Sequence, residues 1–186
     1  MTDLDTVIEG CKKGNKVMQK KLYDRYSARF YALCKRYSVD DDEAQDMLVE
    51  GFVYVFSSIT DYRGEGSFEG WMHSIFLRTA IKFVRSNTRR KRIIEPLDDR
   101  DFNSESPDLS TQIDIKDALV EALRSMEEEE RLMFNLITVE GYPLADVAEE
   151  IGIPVSTLKS RYYKVLKALR ITLTNRLGNK FLEKYK

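Results

Sequence analysis

The 186 residues are 42% hydrophobic and 33% charged, a composition for a soluble globular protein of one domain or two small ones. No apolar run approaches the roughly 18–20 residues of a membrane span, and the start, MTDLDTVIEGCKKGN, carries acids where a secretory signal has a basic region and lacks an apolar stretch, so neither membrane insertion nor export is expected. Two cysteines and one histidine cannot build a four-ligand zinc site without carboxylates, and with no phosphate loop or nucleophile constellation an enzyme is the weakest reading; no cofactor or metal is expected. Cys11 and Cys34 read as reduced, partly buried thiols of a cytosolic protein, and His73 as a surface residue. The formal net charge of −1 hides an asymmetry: residues 1–92 carry +4, residues 93–130 carry −10 and residues 131–186 carry +5. Two basic ends around an acidic middle suggest a nucleic-acid binder with an acidic connector.

The pattern along the chain is almost entirely helical. Leu22, Tyr26, Phe30, Leu33 and Tyr37 recur at helical spacing, followed by Met47, Leu48, Phe52, Val55, Phe56 and Ile59. Asp40 and Glu43 form a capping box ahead of the second run. On that helix Asp42, Asp46 and Glu50 make an acidic stripe unsuited to DNA and suited to a basic protein partner or to plain solvation. YRGEGS (62–67) reads as a loop, and a long helix follows from Phe68 to about Arg92, with Phe68, Met72, Ile75, Thr79 and Phe83 facing the core. Its basic residues at 78, 82, 85, 89 and 92 fall in one stripe, an electrostatic track for phosphate. Trp71 lies at the angle of that stripe, either to stack on an unpaired base or to pack as core. Residues 93–112 hold two prolines, three serines and six acids without periodicity, and read as a linker.

Helical pattern resumes with Ile115, Leu119, Ala122, Leu123 and Met126, then Leu132, Met133, Leu136 and Ile137. A short helix beginning near Pro143, at a first-turn position, turns Leu144, Val147, Ala148 and Ile151 inward; Gly152 supplies a turn, and Pro154 pre-sets the next helix. That is helix–turn–helix spacing. At about 100° per residue, Leu158, Tyr162, Val165, Leu166, Leu169 and Leu173 of the second helix share an inward arc. Ser156, Lys159, Ser160, Tyr163, Lys164 and Lys167 face the other way, with Thr157 and Arg161 at the margin, placed for phosphates. The expected class is all-α: two small helical domains, 1–95 and 113–186, joined by an acidic linker, 96–112.

The blocks DEAQDMLVEGFVYVF, YRGEGSFEGWMHSIFLRTAIKFVR and EGYPLADVAEEIGIPVSTLKSRYYKVLKALR, in that order, resemble regions 2 and 4 of the extracytoplasmic-function (ECF) group of bacterial sigma factors. The resemblance implies a cytoplasmic initiation factor, a monomer when free, that binds core RNA polymerase at its clamp and flap, recognises −35 and −10 promoter DNA, and helps open the duplex. It implies polymerase contact through Asp42, Asp46, Val49 and Glu50. It implies −10 contact through Tyr62, Arg63, Ser67, Phe68, Trp71, Arg78, Lys82, Arg85 and Arg89, with one base turned out of the stack. It implies −35 contact through Ser156, Thr157, Lys159, Ser160, Arg161, Tyr163, Lys164 and Lys167. An anti-sigma factor partner is the common family arrangement, and the acidic linker would thread the polymerase cleft toward the RNA exit path, imitating a nucleic-acid backbone in a basic channel. The chain departs from the family pattern at Val49 (commonly Gln), Arg78 (commonly Asn), Lys82 (commonly Asp) and Met126-Glu127 (commonly Leu-Pro). A stand-alone helix-turn-helix regulator, and a polymerase-binding protein without promoter function, are the alternatives.

Overall fold

The computed structural model describes residues 3–94 and 115–177, with side chains described for all of these except 89–94, 115–117, 120, 124, 176 and 177. The predicted linker, 96–112, lies outside the described residues. Among the described residues the chain is helical throughout, and it divides into two compact units, residues 1–86 and 87–186. No described helix is long and apolar enough to cross a membrane.

The first unit is built from α1 (Asp3–Lys12), α2 (Lys16–Tyr37), α3 (Asp41–Ser58) and the part of α4 (Phe68–Ile94) up to residue 86, with a 3-10 turn at Ile59–Asp61. Helix α1 was not expected from the periodicity: only Val7, Ile8 and Cys11 are buried on it, too few positions to show a stripe. Asn15 caps α2, its Oδ1 accepting from the amides of Val17 at 2.9 Å and Met18 at 3.3 Å. The capping box of α3 forms with a variation. Asp40 Oδ1 accepts from the Glu43 amide at 2.8 Å, while Glu43 reaches back to the amide of Val39, one residue before the cap, also at 2.8 Å.

The core joins the apolar faces of α2, α3 and α4 through aromatic rings. Phe30 stacks on Phe76 with centroids 4.2 Å apart, and Phe52 meets the edge of Phe76 at 5.3 Å. Phe76 lies so close to α3 that a Cβ on Gly51 would sit 2.2 Å from its ring, so only glycine allows this approach. The buried face of α4 is therefore rotated from the expected one. Met72, Phe76, Leu77, Ala80, Ile81 and Val84 are buried with Phe68 and Thr79, whereas Ile75 and Phe83 are half-buried. His73 is half-buried rather than at the surface, and Cys11 and Cys34 are fully buried free thiols. Burial pushes the Cys34 thiol up to about 12, which keeps it protonated and unreactive.

The second unit contains α5 (Ile115–Arg124), α6 (Glu128–Phe134) running into a π turn (Asn135–Val139), α7 (Leu144–Ile151) and α8 (Val155–Leu177). Helices α5, α6 and α7 all pack on α8. Leu132, Met133, Leu136, Val147, Ala148, Leu158 and Val165 close the core. The acids Glu128, Glu129 and Glu130 occupy the first turn of α6, where exposed amides favour negative charge.

Candidate nucleic-acid interface

Helix α7 stops at a left-handed glycine. Gly152, at φ 78° and ψ 36°, donates to Glu149 O at 3.1 Å, and the Ile153 amide donates to Ala148 O at 3.0 Å, the paired bonds of a Schellman motif. A side chain at 152 would be strained in that conformation. The helix begins at Leu144 with Pro143 as its cap (φ −58°, ψ 143°), one residue later than expected: proline's fixed φ suits either position, and the extended ψ puts it outside the helix. The turn then launches α8 at Val155.

On α8 the predicted phase holds. Leu158, Val165 and Leu169 are buried and Tyr162, Leu166 and Leu173 half-buried. Ser156, Thr157, Lys159, Ser160, Lys164 and Lys167 are exposed, and Tyr163 keeps 69% of its surface open, the largest value among the exposed large hydrophobic residues. Ser160 Oγ donates to the Thr157 carbonyl at 2.9 Å, leaving its lone pairs outward. Arg161 departs from the expectation. It is half-buried, and its Nη2 donates to Glu129 Oε2 on α6 at 2.8 Å. Its position at the margin of the arc puts it within reach of the acidic first turn of α6, a contact between elements that helical phase alone does not reveal. Tyr162, adjacent, shares a 2.6 Å hydrogen bond with Thr138 Oγ1 at the π turn.

The loop 62–67 in the first unit carries the second candidate surface. Gly64 (φ 80°) and Gly66 (φ 79°) turn it left-handed, and Tyr62 Oη donates to the Gly66 carbonyl at 2.9 Å, closing the loop over its own ring. Ser67 ends it by capping α4: its Oγ accepts from the Gly70 amide at 3.3 Å and its carbonyl from Trp71 N at 3.0 Å. Three aromatics gather there, Tyr62 to Phe68 at 5.0 Å, Tyr62 to Trp71 at 5.5 Å and Phe68 to Trp71 at 5.4 Å. Phe68, turned toward the core by the helical pattern and toward DNA by the family resemblance, is buried at 4% exposure and packs toward Tyr26, as the pattern expects. It backs the cluster, and Tyr62 and Trp71, both half-buried, form the open side. Trp71 packs on Phe68 and Tyr62 and keeps part of its surface open. Arg63, Ser67, Arg78 and Arg85 are exposed, while the side chain of Arg89 lies outside the described residues.

Lys82 also departs from the expected stripe. Its Nζ donates to Tyr54 Oη at 2.7 Å and to Glu50 Oε1 at 3.0 Å, and Tyr54 Oη donates to the same carboxylate oxygen at 3.1 Å. The ammonium lies 5.3 Å from the Tyr54 ring centroid. The hydrogen bond to Tyr54, then the bond to and attraction of Glu50, hold the Lys82 ammonium above the usual lysine range. A residue predicted for DNA and one predicted for polymerase therefore neutralise each other across α3 and α4. Tyr54 went unnoticed in the sequence, although a tyrosine four residues after a glutamate on a surface helix was the available signal. Asp42, Asp46 and Val49 are exposed on α3, and Val53, at 59% exposure, extends Val49 along the same face. Two exposed valines edged with acids make a surface that repels a polyanion.

Comparisons with known proteins agree in both units. The family model described as Sigma-70 region 2 matches residues 22–90, and that described as Sigma-70, region 4 matches residues 116–169. RNA polymerase sigma factor SigV of Bacillus subtilis is 30% identical over 145 residues, covering 78% of this chain and 84% of the relative. The ECF RNA polymerase sigma-E factor of Haemophilus influenzae is 25% identical over 174 residues, covering 88% and 91%. Among solved structures, the sigma factor RpoE in complex with the anti-sigma factor NepR from Bartonella quintana has the same fold, with a TM-score of 0.51 and 18% identity over 83% of this chain and 96% of that one.

Proposed function

The chain belongs to the ECF group of the sigma-70 family and is a sigma factor, a transcription initiation factor and not an enzyme; from that premise we propose how its two units divide the work. The second unit reads the −35 element in the duplex, with Ser156, Thr157, Lys159, Ser160, Tyr163, Lys164 and Lys167 on the groove side of α8. Amines bind phosphates and guanine edges, hydroxyls take either donor or acceptor, and the tyrosine covers an apolar edge such as a thymine methyl.

The first unit holds the −10 element and its opening. Tyr62 and Trp71 offer a stacking surface for one unpaired base, a contact of about 1–3 kcal/mol per base. That offsets the few kcal/mol needed to turn a base out of a weak step. Exposed Arg78 and Arg85 supply phosphate attraction beside it. Core RNA polymerase docks on the acidic, valine-bearing face of α3 through Asp42, Asp46 and Val49, at its clamp, while the second unit meets the flap. An anti-sigma factor competes for these surfaces, a reading supported by the RpoE structure, which is a complex with the anti-sigma factor NepR. The protein acts in the cytoplasm, where polymerase is.

The observation carrying this reading is the pairing of two unlike surfaces in one chain, exposed amines and hydroxyls on a helix-turn-helix and a half-open aromatic cluster on a glycine loop. The first suits a duplex reader, and the second suits a protein that also holds an unpaired base. The test is reconstitution: the chain, core RNA polymerase and linear genomic DNA fragments give specific transcripts with defined start sites. A chain that binds duplex DNA as a symmetric dimer and yields no transcripts is a regulator of another kind.

A further inference from the structure

One cation of α8 stands apart from the others. Lys159, Lys164 and Lys167 are exposed, whereas Arg161 keeps only 34% of its side chain accessible and donates to Glu129, itself 19% accessible, at 2.8 Å. Glu130 feels the same guanidinium: its carboxyl is raised chiefly by burial and lowered in part by the attraction of Arg161. The charge of Arg161 is thus felt by a second carboxylate of the α6 first turn. The next residue, Tyr162, is fastened to Thr138 at 2.6 Å. Two successive residues of the reading helix are tied by polar bonds to the segment 128–139.

An arginine in the first half of a groove helix ordinarily adds a phosphate contact. Here a phosphate reaching for Arg161 would approach the Glu129 carboxylate as well and would have to displace its 2.8 Å bond to the guanidinium. The arginine is occupied before DNA arrives.

We propose that Glu129 is a positioning residue for reading the upstream element: it withdraws Arg161 from the phosphate-binding set and uses it to brace α8 against α6. Sequence-independent attraction then rests on the lysines, and the register of α8 in the groove rests on the brace. This limits nonspecific affinity and raises the ratio of specific to nonspecific binding. The inference rests on the −35 reading above.

The experiment follows closed complexes of the holoenzyme, on a promoter recovered from its own transcripts and at a temperature too low for opening. Affinity is measured against salt for the wild type, Lys159→Ala/Lys164→Ala, Arg161→Met, Glu129→Gln and Glu129→Gln/Arg161→Met. Each phosphate contact contributes about 0.9 to the slope of log affinity against log salt. The lysine double variant should lower the slope by roughly 1–2, and Arg161→Met should leave it at the wild-type value. Glu129→Gln should steepen it by about 0.9, an extra loss of about threefold between 50 and 200 mM salt. The same variant should reduce the preference for the upstream element over a scrambled one several-fold, and adding Arg161→Met should return the slope to wild type. A Glu129→Gln slope and preference equal to wild type overturns the inference, as does an Arg161→Met slope lowered by about 0.9. If Glu129→Gln does not fold, the Arg161→Met slope decides. If the lysine variant changes neither slope nor preference, the −35 reading fails and takes this inference with it.

Discussion

The two candidate DNA surfaces are built in opposite ways. On α8 the functional groups are exposed ends of side chains carried by a helix whose other face is core, so Lys159 and Tyr163 can change without disturbing what holds the helix. At the loop 62–67 the functional rings are themselves structure: Tyr62 and Trp71 pack on Phe68, and Phe68 is buried toward Tyr26. A duplex groove is a regular target and is met by adaptable side chains on a rigid rod. An unpaired base must be caught in one geometry, which rewards a preformed, partly buried pocket wall. The first surface separates function from stability, and the second couples them.

The largest effect expected from that coupling comes from Gly51→Ala. Its Cβ would press the Phe76 ring on α4, an overpacking cost of about 1–3 kcal/mol. The first unit should lose several degrees of thermal stability. Promoter opening, read by 2-aminopurine fluorescence, should fall with it; unchanged melting would contradict the close approach. Trp71→Ala comes next. Losing one stacking partner costs about 1–3 kcal/mol, or roughly 10- to 100-fold in open complexes, with a smaller loss of stability. Lys159→Ala/Tyr163→Ala should lower transcription about tenfold at promoters that need the −35 element. It should leave both the melting temperature and polymerase assembly unchanged, since both side chains are exposed. A shifted melting curve there would break the comparison.

Asp46→Arg should weaken binding to core polymerase, measured by competition for the holoenzyme, and leave the melting curve of the free chain in place. The smallest effect is Glu130→Gln. Burial raises the Glu130 pKa in the folded state, so its ionised form costs stability above the folded pKa, and that cost fades as pH falls through it. The glutamine variant should melt slightly higher at pH 7, and the gain should shrink as the pH falls through the carboxylate range. A gain that grows toward acid pH would reverse the sign.

How readable each surface was in the sequence follows from the same contrast. The outward face of α8 was legible because one helix's phase decides it, and the Gly152 turn because only a left-handed residue ends a helix that way. The pairing of Lys82 with Glu50 and of Arg161 with Glu129 was not. Each depends on which two elements meet, and local spacing carries no such information. The stripe on α4 illustrates the limit. Its apolar residues nearly surround the helix, so periodicity allowed a face centred on Ile75 and Phe83. The ring of Phe76 against Gly51 selected another.

The division of labour meets its most direct test in holoenzymes carrying Trp71→Ala or Lys159→Ala/Tyr163→Ala, each assayed on a fully paired promoter and on the same promoter with its −10 segment already unpaired. If the first unit supplies opening and the second supplies duplex reading, the unpaired template restores most transcription to Trp71→Ala and leaves the Lys159→Ala/Tyr163→Ala defect in place. Equal rescue of both variants, or rescue of only the second, contradicts the account.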